Sequence, residues 1–112
     1  VATKWQLRSY NNLRGGLVSS RNTGNISARF EGNGKLSGTA GCNRYFGSYQ
    51  LDGERIELSP LASTRKMCPK PDGVMKDERG YLAAMATVDH YKIHDRALTL
   101  YNSKGTRVLV FS

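Results

Sequence analysis

Apolar and polar residues alternate with a period of two along most of the chain, the pattern of strands with one buried face. Ile26, Ala28 and Phe30 fall on one side, with Ser27 and Arg29 on the other. Gly32-Asn33-Gly34 follows, rich in residues that tolerate a positive φ, and Lys35–Gly38 returns as a partner strand. Tyr49 and Leu51 lead into Asp52-Gly53, the strongest hairpin signal in the chain, and Ile56 and Leu58 alternate on the way back. Trp5 and Leu7 open the chain in the same rhythm. Tyr91 and Ile93, then Leu98 and Leu100, then Leu109 and Phe111 close it, separated by His94–Arg96 and Asn102–Gly105.

One segment keeps a different period. Val74, Met75, Tyr81, Leu82, Met85 and Val88 recur at three- and four-residue spacing, which predicts one helix within about two residues of Asp72–Val88. Asp72 is placed to cap its first turn. Gly80 lies inside it and costs about 1 kcal/mol relative to alanine. The expected fold is α+β and mainly β. It is a single domain over residues 1–112, with an antiparallel sheet of about eight strands, strongly curved or nearly closed, and one helix packed across it.

Composition narrows the function classes. The chain has 112 residues, of which 38% are hydrophobic and 23% charged, an ordinary globular balance. Its longest mostly apolar stretch, Tyr81 to Val88, is far short of the roughly 20 residues that span a bilayer as a helix. Seventeen Lys and Arg against nine Asp and Glu leave a net charge of +8, which invites an anionic partner. The basic residues are spread from Lys4 to Arg107, however, and only Arg65, Lys66 and Lys70 approach a cluster. With Arg44 they form the candidate binding surface. The rest of the charge reads as a solvated surface.

Cys42 and Cys68 stand 26 positions apart. Such a pair is compatible with a disulfide, with two buried thiols, or with half of a metal site. His90 and His94 complete a Cys₂His₂ count, yet zinc ligands come in closely spaced pairs and each cysteine here is alone. On a strand the two histidines lie on one face about 13 Å apart, too far to share an ion. No metal and no cofactor is expected. The nucleotide-binding, hydrolase-elbow and zinc-protease motifs are all missing from the sequence. Asp52, Glu54 and Glu57 alternate with apolar residues at a hairpin, as on a solvated sheet face. Catalysis is not expected.

Ser37-Gly38-Thr39-Ala40-Gly41-Cys42-Asn43-Arg44-Tyr45-Phe46-Gly47-Ser48-Tyr49 resembles the central signature of the META-domain family. Thr64 and Cys68 match its second block, and Trp5-Gln6-Leu7, Glu78 with Tyr81-Leu82, Leu98-Thr99-Leu100 and Leu109-Val110-Phe111 extend the likeness over nearly the whole chain. The sequence departs from the family pattern at Arg79-Gly80, where helix formers are usual. It departs again over Asn11–Gly24, which shows no strand pattern. In the signature, Gly38, Gly41 and Gly47 suit tight bends and close backbone approach, and the Asn43 amide suits turns that leave backbone groups unpaired. We expect a Cys42–Cys68 disulfide, since these are the two cysteines of a secreted-looking β-domain. Closing that loop removes about 3.5 kcal/mol of unfolded-state freedom.

The resemblance implies a non-catalytic protein of the bacterial envelope, or a secreted one. Family members include heat-shock-inducible lipoproteins and stress-associated secreted proteins, and the fold is similar to that of a pilot protein that chaperones an outer-membrane secretin. It thus implies a periplasmic, outer-membrane-associated or secreted location, a protein or lipid partner, and a monomer. Residue 1 is Val and Val1–Tyr10 has no signal-peptide pattern, so a mature or trimmed fragment is expected, with a lipid anchor upstream of residue 1 left open. The alternative is a single-stranded nucleic-acid binder, with Arg44 on phosphates and Tyr45, Phe46 and Tyr49 stacking on bases. Binding of that kind is expected to be weak and erased by physiological salt.

Overall fold

The computed structural model describes residues 3–12, 16–19 and 22–112. Its strands are β1 (Thr3–Asn11), β2 (Leu17–Val18), β3 (Ser27–Phe30), β4 (Lys35–Thr39), β5 (Arg44–Asp52), β6 (Arg55–Leu58), β7 (Ala62–Ser63), β8 (His90–His94), β9 (Ala97–Tyr101) and β10 (Arg107–Phe111). One helix, α1 (Val74–Met85), and a short 3-10 turn at Thr23–Asn25 complete it. Eight strands close into an antiparallel barrel in the order β1-β3-β4-β5-β6-β8-β9-β10, and β10 pairs back onto β1. β2 extends β1, and β7 pairs with β5 outside the closed path. The eight expected strands and the curvature are therefore present, with two short strands in addition.

Inward positions follow the alternation where the ladders are regular. Ile26, Ala28, Leu36, Tyr45, Ile56, Leu98, Leu100 and Phe111 are all buried. The pattern slips in β10, where Val108 and Leu109 are both fully buried. The register against β9 shifts between Arg107 and Leu109. A bulge there turns two consecutive side chains inward, which strict alternation does not anticipate. In the Asp52-Gly53 hairpin, Asp52 pairs with Arg55, so Gly53 and Glu54 make the turn. The stretch Asn11–Gly24 contains the end of β1 and all of β2, while residues 13–15 and 20–21 lie outside the described residues.

The helix begins within two residues of Asp72, as expected, but its cap and its far end differ from expectation. Gly73, at φ +81°, precedes its first residue, and no side chain caps the first turn. Asp72 instead accepts a hydrogen bond on its main-chain oxygen from the Asn22 amide (2.9 Å). At the other end the Ala86–Thr87 turn, closed by Thr87 Oγ1 donating to the Ala84 carbonyl, stops the helix three residues short of Val88. Tyr81 and Met85 enter the core, Val74 is buried, and Leu82 and Val88 pack at the core's edge. Met75 is only half-buried.

Gly80 is explained by close approach. A Cβ at this position would lie 2.3 Å from the Tyr10 ring, which occupies the space a side chain would need. Gly80→Ala is therefore expected to destabilise the domain by about 1–3 kcal/mol, although alanine is the better helix former. Thermal denaturation checks this; a raised melting temperature would show that helix propensity outweighs the contact.

Candidate functional site

The signature builds a buried knot at the helix end of the barrel. Gly41, at φ +116°, turns the chain between β4 and β5 and brings Cys42 and Asn43 against α1. Glu78 reaches across from the helix. Its carboxylate accepts from the Cys42 N–H (3.1 Å), the Asn43 N–H (2.7 Å) and the Asn43 side-chain amide (2.7 Å). That amide also donates to the Lys66 carbonyl (3.0 Å), while Asn43 Oδ1 accepts from the Lys66 N–H (2.6 Å) and the Thr64 hydroxyl (2.8 Å). Cys42 is disulfide-bonded to Cys68. Asn43 and its neighbours thus join the β4–β5 turn, the loop after β7 and the helix. Gly38 belongs to the same construction: a Cβ there would stand 2.1 Å from the Ser27 carbonyl oxygen.

Beneath the knot lies a tyrosine pair. Tyr45 donates to the Ser27 carbonyl (2.8 Å), so Tyr81, 2.5 Å from it, is the donor to Tyr45. The rings meet edge to face, and Tyr81 meets Phe111 in the same way. Burial raises the pKa of both hydroxyls, and keeps them neutral hydrogen-bonding groups. Beside them, Asp77 accepts from the Tyr10 hydroxyl (2.7 Å) and the Asn22 amide (3.0 Å).

Asn43 and Tyr45 are buried at 3% and 1% exposure and present no binding surface; Tyr49 is also in the core, its hydroxyl donating to the Glu31 carbonyl. Of the three aromatics considered as base-stacking platforms, Phe46 alone is exposed. Thr64 serves the knot, and Gly47 lies where Leu61 and Ser59 close over β5. Arg44, Arg65, Lys66 and Lys70 are exposed around the knot, joined by Lys76 and Arg79 from the helix. His90 stacks on Tyr101 and lies beside Asp89, and His94 lies beside Asp95. Among the described residues no cluster of His, Cys, Asp or Glu is arranged to hold a metal. The buried acids Asp77 and Glu78 were hidden from periodicity, because a carboxylate in a helical pattern reads as solvent-facing. Glu78 carried a signal only through the family likeness.

The opposite end of the barrel is different in character. β5 runs from Tyr45, against the helix, to Tyr49 and Leu51 at a recess of about 90 Å³. Trp5, Phe30 and Tyr49 supply its aromatic wall, and Ile56, Tyr91 and Leu98 complete the lining. Leu51 and Ile93 stand on its rim at 48% and 58% exposure. Ile93 is held there by a two-residue turn, Asp95-Arg96, whose φ values of 49° and 65° are both left-handed. Hairpin turns of this shape ordinarily use Asn-Gly. Here both positions carry side chains, and Asp95 is of a type that tolerates the left-handed region.

Known structures share this architecture. An NMR structure of a protein from Burkholderia xenovorans is 28% identical, with a TM-score of 0.75 over 99% of this chain and 81% of its own. A crystal structure of a DUF4847-family protein from Bacteroides vulgatus has a TM-score of 0.73 at 12% identity, covering 99% of this chain and 92% of its own, a likeness of fold alone. No curated protein matches the chain. The model of the META domain matches residues 1–112, and the chain belongs to the META-domain family.

Proposed function

We propose that this domain is a non-catalytic binding module of the bacterial envelope, or a secreted one, that receives an apolar group of a lipid or protein partner at the open end of its barrel. The observation that carries the reading is the apolar rim: Leu51 and Ile93 stand exposed over an aromatic recess, where a mouth of this kind takes ligands in other barrels. The disulfide and the family are compatible with an envelope location. Among the described residues no helix is long and apolar enough to cross a membrane. Nucleic acid is the weaker reading. The charge of +8 favours it, but burial of Tyr45 and Tyr49 removes two of its three stacking platforms.

The one tryptophan, Trp5, lines the recess and reports on it. Titration with lysophosphatidylglycerol below its micelle concentration, or with a capped apolar tripeptide, is expected to give a saturable blue shift of Trp5 emission. Ile93→Asp combined with Leu51→Asp is expected to weaken that response at least tenfold without lowering the melting temperature, since both side chains are exposed. Emission unchanged by either probe overturns the reading.

A further inference from the structure

We propose that the outer edge of β6 and β7 receives an extended peptide segment of a partner protein, added as a further strand in the groove between that edge and the end of α1. The barrel is least closed here. β6 and β8 share a single register pair, Arg55 with His90, flanked by the hydrogen bonds Ile56 N–H to Asp89 O and Tyr91 N–H to Glu54 O. Beyond it the chain before β8 leaves the sheet for the helix. The edge from Leu58 to Ser63 therefore faces a groove of about 470 Å³ whose far wall is Leu82, Ala86 and Val88.

Register fixes which backbone groups face that groove. Ser59 N–H donates to the Ser48 carbonyl and Thr64 N–H to the Arg44 carbonyl. Antiparallel strands turn alternate residues' N–H and C=O groups to opposite sides. The backbone groups of Leu58 and Ser63 are thereby directed away from β5 and into the groove. Pro60 lies between them, outside β6 and β7, and has no N–H, a common guard against unselective pairing.

The chemistry of the groove selects the occupant. An acyl chain would cover the apolar wall and leave the Leu58 and Ser63 backbone groups without partners. An extended peptide satisfies those groups with its own backbone and sets alternate side chains against the half-buried Leu61, Leu82 and Val88. This inference stands apart from the reading of the barrel mouth, which uses other residues.

The test uses the full ¹⁵N-labelled chain and a capped hexapeptide alternating Val and Thr, with versions N-methylated at every second amide in either phase. Saturating peptide is expected to slow amide exchange of Leu58 and Ser63 at least tenfold, and one of the methylated versions is expected to lose the effect. Ala86→Lys places a charge in the groove from an exposed position outside the core. It is expected to weaken binding at least tenfold while leaving the fold intact. Unchanged exchange at millimolar peptide overturns the proposal. So does equal binding by both methylated versions, or a response confined to Trp5, Tyr91 and Ile93, which would assign the peptide to the mouth instead.

Discussion

Glu78→Ala is expected to lower the stability of the domain by about 3–5 kcal/mol, among the largest single-residue effects in this fold. The carboxylate is 5% exposed and accepts three N–H groups, two from the backbone of Cys42 and Asn43 and one from the Asn43 amide. Removing it leaves those donors facing a gap where water has little access, so their desolvation is no longer compensated. The same change releases the helix from the β4–β5 turn, leaving the Asn43 bonds to Lys66 and Thr64, the disulfide, the tyrosine pair and the Asp77 bonds to hold that end of the barrel. Glu78→Gln retains one acceptor oxygen but turns an amide N–H₂ toward other donors, and falls between the two. A urea titration of the three proteins checks the order. The knot is not a structural element if Glu78→Ala keeps the parental midpoint. A double-mutant cycle with Asn43→Ala is expected to show coupling of at least about 1 kcal/mol, because the two side chains satisfy each other directly.

Met85→Asp is expected to unfold the domain or to cost about 4 kcal/mol or more, a large share of the 5–15 kcal/mol that holds a typical domain together. Met85 is 1% exposed and sits on the core face of α1, one turn beyond Tyr81. The substitution removes a large apolar side chain and buries a carboxylate with no donor arranged to receive it. The contrast with Glu78, seven residues earlier on the same helix, is instructive. A buried acid is tolerated where three N–H groups meet it and not where apolar side chains do. Circular dichroism melts check the outcome, and a parental melting temperature would mean that Met85 does not face the core.

The hairpins and the single helix were legible because strands and helices have different apolar periods and because turns need Gly, Asn or Asp. Ile26, Ala28 and Phe30, the β8–β9–β10 meander and the Tyr81–Met85 face all lie where that reasoning put them. It failed where a non-local contact overrode the local pattern. The β10 bulge buries Val108 beside Leu109, Asn22 rather than a capping side chain meets Asp72, and Gly80 answers to the Tyr10 ring. The site was legible in part: the family likeness singled out Asn43, Cys42 and Cys68, and the structure shows Asn43 as a buried joint. The rim of Leu51 and Ile93 was read only as alternation, since a strand position cannot reveal that the barrel ends beside it.

By itself the sequence determined the strand rhythm, the one helix, that no stretch of these 112 residues is apolar for long enough to span a bilayer as a helix, and the family, because each depends on residues close together or on a contiguous motif. Tertiary structure alone decided that the sheet closes, that Asp77 and Glu78 are buried, and that an apolar mouth and an open strand edge remain. Those facts depend on which distant segments meet, and hydrogen bonds between residues such as Tyr10 and Asp77, 67 positions apart, leave no periodic trace along the chain.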